Sequence, residues 1–174
     1  MRVIAGEFRS RRLKSLPGDA TRPTPDRLRE TLFDILTPRI EGVTFLDAYA
    51  GTGAVGIEAL SRGARHATFL EKQGAAVETI HENLASLGLE RRATVVKGAV
   101  LQSIARWTAE IVFLDPPYGS EREYPAALEL LAAARPQLVV VQHSIHLALE
   151  DSYGALQRAR MVKQGDNALS FFSG

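Results

Sequence analysis

At 174 residues the chain fits one domain with room for a sizeable core. An apolar fraction of 45% with 24% charged residues is that of a globular protein, no apolar run approaches the roughly 18 residues of a membrane span, and the absence of cysteine excludes disulfides, thiolate-bound zinc and a thiol nucleophile. Net charge is only +1, but residues 1–29 hold eight Arg/Lys against three acids, a net of +5, while the other 145 residues carry 13 basic and 17 acidic side chains, a net of −4.

The basic arm comes first. A basic arm on a mildly acidic body points to a polyanion met by one end of the molecule; a solvated charged hairpin is the plainer alternative. Arg9, Arg11, Arg12 and Lys14 are its candidate phosphate contacts, with Arg22 just beyond. "MRVIAGEFRSRRLK" lacks the apolar stretch of a signal peptide, so a cytoplasmic chain is expected. "RVIAGEF" and "RRLKSLP" read as two short strands of a β-hairpin. After the loop "GDATRPTP", Thr24 and Pro25 are placed as N-cap and first residue of a helix whose Leu28, Leu32, Ile35 and Leu36 share one face.

From Val43 strands and helices alternate. "VTFLDAY" is a strand followed by the helix "GAVGIEALSRG"; "ATFLE" is a strand followed by a helix with Val77, Ile80, Leu84 and Leu87 on one face and Gly88 after its end. "ATVVKG", "AEIVFLD" and "QLVVVQHS" supply three more strands, and "RARMVKQ" with "ALSFFS" around a Gly-Asp-Asn turn reads as an antiparallel hairpin. The pattern predicts an α/β, Rossmann-like, doubly wound sheet, mostly parallel, with a C-terminal antiparallel hairpin and an N-terminal β-hairpin extension. One domain over 1–174 is expected, with 1–24 as hairpin and loop and 25–174 as the core. A monomer is expected.

Ligands of such sheets bind outside the carboxyl ends of the strands. The first strand runs into "LDAYAGTGAVG", in which Gly51, Gly53 and Gly56 form G-x-G-x-x-G, with Glu71 twenty residues beyond Gly51 to take ribose hydroxyls. Asp47-Ala48-Tyr49-Ala50 separate strand and glycines, and the carboxylate of Asp47 would repel pyrophosphate but suit an ammonium group. S-adenosylmethionine has an ammonium, a ribose and no phosphate, so it is the cofactor these features favour. The fourth strand ends "FLDPPYG"; a Pro-Pro pair must end a central strand, and hydride transfer has no evident use for what surrounds it.

"LDAYAGTG" resembles the cofactor loop of class I methyltransferases, and "DPPY" resembles the Asp/Asn-Pro-Pro-Tyr/Phe motif of enzymes that methylate exocyclic base nitrogens. More narrowly, "MRVIAGEFRSRRL", "TRPTPDRLRETLFDIL", "GIEALSRGA" and "FLDPPYG" resemble the RsmD family, guanine-N2 methyltransferases of small-subunit ribosomal RNA. The resemblance runs from Met1 to about Tyr118. It implies a seven-stranded methyltransferase sheet, an N-terminal hairpin that helps engage RNA, and a guanine presented by the small ribosomal subunit or its assembly intermediate. Cofactor contacts would come from Asp47, Ala50, Gly51 and Gly53, from Glu71 and Lys72, from the "Gly98-Ala99" corner, and from Thr24. Asp115, Pro116, Pro117 and Tyr118 would be catalytic.

The residues suit that chemistry. An exocyclic amine is a poor nucleophile because its lone pair is delocalised into the ring. Accepting hydrogen bonds from its N–H groups, with Asp115 and the Pro116 carbonyl as acceptors, favours a pyramidal nitrogen; Tyr118 can stack on the base. Carbon-5 methylation of pyrimidines usually needs a cysteine, which this chain lacks. Two departures from the family stand out: no acid follows "KG" where adenine would be met, leaving backbone groups of Gly98 and Ala99, and the fifth strand ends in Gln142-His143, where related sequences often carry an acid. No third ligand accompanies His143 and His146, so no metal is expected. His66 and His81 read as surface residues and Trp107 as core. The alternatives are an N6-adenine or N4-cytosine nucleic-acid methyltransferase, a nucleotide-cofactor oxidoreductase, or a non-catalytic RNA-binding domain.

Overall fold

The computed structural model describes residues 1–18 and 24–174; Arg22 lies outside them. The elements are α1 (Asp26–Leu36), β1 (Thr44–Ala48), α2 (Ala54–Ser61), β2 (His66–Glu71), α3 (Gly74–Leu87), β3 (Ala93–Lys97), α4 (Val100–Ser103), β4 (Ile111–Leu114), α5 (Glu123–Ala134), β5 (Leu138–Ser144), β6 (Ser152–Tyr153), β7 (Leu156–Gln164) and β8 (Asn167–Ser173). The described strands form one sheet in the order β3-β2-β1-β4-β5-β8-β7-β6, and β1 to β5 are parallel. Strand order reverses at β1, which lies between β2 and β4. That switch point opens a crevice at the carboxyl ends of both strands.

The sheet is covered on both faces, as short all-apolar strands such as Ile-Val-Phe-Leu of β4 require. Phe45, Phe69, Phe113 and Val140 point to one face and pack with α1, α2 and α3. Leu46, Leu70, Leu114 and Val141 point to the other and pack with α4 and α5. This alternation sets which rim residues share a face.

Some elements depart from the sequence pattern. The N-terminal hairpin is pinned by a single antiparallel bridge, Arg2 with Arg12, and by a few cross-chain hydrogen bonds such as Val3 N–H to Arg11 O at 2.9 Å, rather than by two extended strands. Pro25 is the N-cap of α1, not its first residue, and no side chain caps that end, which frees Thr24 for another partner. Leu28, Leu32 and Leu36 are buried as expected, but so are Phe33 and Arg29, while Ile35 is half-buried. Trp107 is 37% exposed and is no core residue. Asn167 belongs to β8, so the C-terminal turn is Gly165-Asp166, and the two-residue β6 adds an eighth strand where seven were implied.

What holds the arm is a buried carboxylate on α2. Glu58 is 0% exposed and accepts hydrogen bonds from Ile4 N–H at 2.9 Å, Ala5 N–H at 3.0 Å and Arg62 Nε at 2.9 Å. Ser61, one turn on, accepts from Phe8 N–H and donates to Ala5 O. Gly6 crosses this helix end at φ +86°, and a Cβ there would lie 2.0 Å from Ser61 O, so only glycine fits. The fully buried Arg29 donates to Arg2 O at 2.7 Å and Asp26 at 3.0 Å. Burial lowers its pKa, and Glu58 and Asp26 push it back up. Removing one member of such a cluster strands the others. Glu58→Ala is therefore expected to cost about 3–5 kcal/mol of stability. Urea denaturation measures it, and a loss below about 1 kcal/mol, the range of an exposed pair, would refute the account.

Candidate active site

Continuing each strand's alternation to its carboxyl end places Glu71 (β2), Asp47 (β1) and Asp115 (just past β4) on the α1–α3 face at one rim. Their proximity shows electrostatically: burial pushes the Asp47 carboxyl well above the usual carboxylate range, a hydrogen bond from Gly56 opposes this, and Asp115 and Glu71 add to the rise.

The glycine loop is tied down by two of these acids. Asp47, 1% exposed, accepts from Gly56 N–H at 2.8 Å. Glu71, 7% exposed, accepts from Gly51 N–H at 2.8 Å through one oxygen and from Gln73 N–H at 2.9 Å through the other. Gly51 (φ +58°) and Gly53 (φ +84°) adopt the left-handed backbone this tight path needs, and Tyr49 does so as a non-glycine at φ +62°. Gly56 lets α2 lie against β2; a Cβ there would sit 2.3 Å from the Phe69 ring. In a dinucleotide site, loop N–H groups face pyrophosphate. Here those of Gly51 and Gly56 face carboxylates, which argues against a phosphate ligand.

A carboxylate has four lone-pair positions, so Glu71 can accept ribose hydroxyls beyond its two backbone bonds. Ala50 is half-buried beside it, and Lys72 is exposed. At the end of β3, Gly98 N–H already donates to Glu71 O at 3.0 Å, so of the two residues assigned to adenine only exposed Ala99 keeps its N–H outside that bond. The donor set fits S-adenosylmethionine: acceptors for hydroxyls and ammonium, and main-chain groups for the base.

Across the crevice stands the other motif. Pro116 is buried, Pro117 is exposed, and Tyr118 projects at 98% exposure. The backbone turns through Gly119 (φ +84°), with Ser120 N–H bonded to Pro117 O at 3.1 Å. Desolvation raises the Asp115 carboxyl to about 7, against a hydrogen bond from the Thr24 hydroxyl that lowers it. Thr24, read from the sequence as a helix cap, does not cap α1 and lies near Asp115.

His143 is a structural residue: its ring nitrogens lie 2.8 Å from Ser144 O and 2.8 Å from Ser170 Oγ. His66 is half-buried and bonds Thr94, while His81 is exposed. In the arm, Arg9, Arg11, Arg12 and Lys14 are all exposed, but Arg11 reaches Ser86 O and Lys14 pairs with Glu82. Asn83 of α3, which no sequence signal marks, is 1% exposed. It accepts from Lys14 N–H at 2.7 Å and donates to Lys14 O and to Thr52 O in the glycine loop.

A doubly wound sheet with this loop at its switch point and Asp-Pro-Pro-Tyr on the adjoining strand defines a class I, S-adenosylmethionine-dependent methyltransferase. The family described as "Conserved hypothetical protein 95" matches residues 1–173. A "Putative rRNA methyltransferase YlbH" of Bacillus subtilis is 33% identical over 99% of this chain and 98% of that protein. A "Ribosomal RNA small subunit methyltransferase D" of Escherichia coli is 41% identical over 68% of this chain and 60% of that protein. Among solved structures, a "Putative methyltransferase yhhF" of Escherichia coli has a TM-score of 0.86 at 31% identity, covering 99% of this chain and 96% of that one. The chain belongs to this family, the RsmD-type methyltransferases.

If Glu71 both closes the loop and meets the ribose, Glu71→Ala is expected to weaken S-adenosylmethionine binding by about 1.5–3 kcal/mol. The fold should survive, since the residue ends a strand at the rim. Unchanged affinity in titration calorimetry would remove Glu71 from the site.

Proposed function

We propose that the protein transfers a methyl group to the exocyclic N2 of a guanine in small-subunit (16S) ribosomal RNA. The observation that carries this reading is the acceptor pair of Asp115 and the Pro116 carbonyl, fixed by two prolines beside the cofactor loop, with Tyr118 exposed for stacking. The name carried by the Bacillus subtilis relative supports ribosomal RNA as substrate, and that of the Escherichia coli relative supports the small subunit's RNA. The subunit or its assembly intermediate is then the partner, in the cytoplasm.

S-adenosylmethionine supplies an electrophilic methyl on a sulfonium sulfur. The protein's own groups do the rest. Tyr118 holds the base by its face. Asp115 and the Pro116 carbonyl accept the two N2–H bonds, aim the nitrogen lone pair, and stabilise the positive charge that grows on nitrogen. A carboxyl that titrates near 7 is also well matched to taking the proton that N2 sheds.

Asp115→Asn keeps one correctly placed oxygen and Ala keeps none. Asn is expected to retain measurable transfer, whereas Ala loses about 10²–10³ in rate, and both bind S-adenosylmethionine normally. Because the ionised carboxyl is the better acceptor, the parent rate should climb as pH rises through about 7 and level off above it. Asp115→Asn should lack that limb. Single-turnover methyl transfer with nucleoside analysis measures both effects. A parent-like rate in Asp115→Ala would reduce the motif to a turn.

The arm is the second element of the proposal. Alanine at Arg9, Arg11, Arg12 and Lys14 should flatten the dependence of log binding constant on log salt by roughly 0.7–0.9 per lost phosphate contact. Cofactor affinity should barely change. An unaltered slope in RNA titrations at several salt concentrations would leave the hairpin a purely structural role.

A further inference from the structure

Gln142 is a buried polar residue at the rim that the chemistry above does not use. It lies on β5 one residue beyond Val141, which pairs with Leu114 of β4. Extended by one residue, that register puts it next to Asp115, at about the 4.8 Å spacing of adjacent strands. Its cross-strand partner on β8 is Leu169, a residue of the core under α1–α3, so Gln142 shares the face of Asp115, Asp47 and Glu71. The side chain is 8% exposed, and its Oε1 is buried with no hydrogen-bond partner among the described residues. Buried polar atoms are nearly always paired, and an unpaired acceptor here is a standing cost that an incoming donor would remove. His143, next in sequence and on the opposite face, has both ring nitrogens engaged.

We propose that Gln142 reads the target base, its amide oxygen accepting the ring N1–H of guanine while Asp115 and the Pro116 carbonyl engage the neighbouring N2 amine. The inference rests on the guanine-N2 reading and adds the device that selects the base. On the Watson–Crick edge of guanine, the atom beside the exocyclic amine is a donor, N1–H. In adenine and cytosine the corresponding ring nitrogens are acceptors. Oε1 next to Asp115 therefore completes guanine, whereas adenine or cytosine would need the amide to turn its NH2 inward. A mismatch also leaves the buried Oε1 unpaired, and sites built on such hydrogen bonds discriminate more sharply than apolar ones. A carboxylate at this position would offer the same acceptor, but beside Asp115 it would add a second charge that the carboxyl already disfavours.

The test uses small-subunit RNA carrying either guanine or 2-aminopurine at the methylated position. 2-Aminopurine keeps the 2-amino group, but its N1 is a bare acceptor. Single-turnover kcat/KM for the two substrates is compared in the parent, in Gln142→Met, which keeps the length without the amide, and in Gln142→Glu, which offers acceptors only. The parent should favour guanine by roughly 10–100-fold. Gln142→Met should bring that ratio close to one, chiefly by slowing guanine, with S-adenosylhomocysteine affinity unchanged as the measure of an intact site. Gln142→Glu should keep the preference. A parent-like ratio in Gln142→Met, or its loss in Gln142→Glu, overturns the inference while the presence of N2-methylguanosine keeps the guanine-N2 reading intact. Absence of N2-methylguanosine with the parent enzyme overturns that reading, and the inference with it.

Discussion

Strand alternation within a parallel sheet is the constraint on which the site depends. Four neighbouring strands, β2, β1, β4 and β5, run in register toward one rim, and residues at matching heights point to the same face. Glu71, Asp47, Asp115 and Gln142 are therefore brought to one edge although they are far apart in the chain. A shift of one residue in any strand would turn its polar terminal residue to the α4–α5 face and break the set. The apolar residues below them, Phe69, Phe45, Phe113 and Val140 on one side and their neighbours on the other, hold that register through burial.

Three of these polar groups are acids in poor solvent, and the structure treats each differently. Asp47 and Glu71 are satisfied by backbone N–H groups of the glycine loop and the turn after β2, so they shape the loop as well as face the cofactor crevice. Asp115 has none of these main-chain donors, and burial raises its carboxyl to about 7. The carboxylates bound by main chain shape the loop, and the less satisfied one is the acceptor proposed to meet the substrate amine. The same contrast separates His143 from Gln142 on β5.

The basic arm is joined to the cofactor loop through α2 and α3. Glu58 and Ser61 hold residues 4–8 against the helix that leaves the loop, and Asn83 bonds Lys14 on one side and Thr52 on the other. The surface proposed to meet RNA and the loop proposed to meet the cofactor are thereby parts of one packed unit. The ion pair of buried Glu58 with Arg62, beside the fully buried Arg29, secures the junction.

The sequence alone determined the succession of elements, the glycine loop and the Asp-Pro-Pro-Tyr motif, because local periodicity and backbone-restricting residues act over a few positions and leave a readable pattern. It also exposed the uneven charge of the arm. It misjudged Trp107, whose exposure depends on what happens to pack nearby, and it read Thr24 as a helix cap where Pro25 holds that position and no side chain caps the helix. It gave no sign of Arg29 or Glu58 as buried charges, since a polar residue on an amphipathic helix reads as solvent-facing until another segment covers it. Asn83 and Gln142 belong with these. Only the tertiary structure decided which polar atoms find partners and which do not, because hydrogen-bond satisfaction depends on segments brought together from tens of residues away.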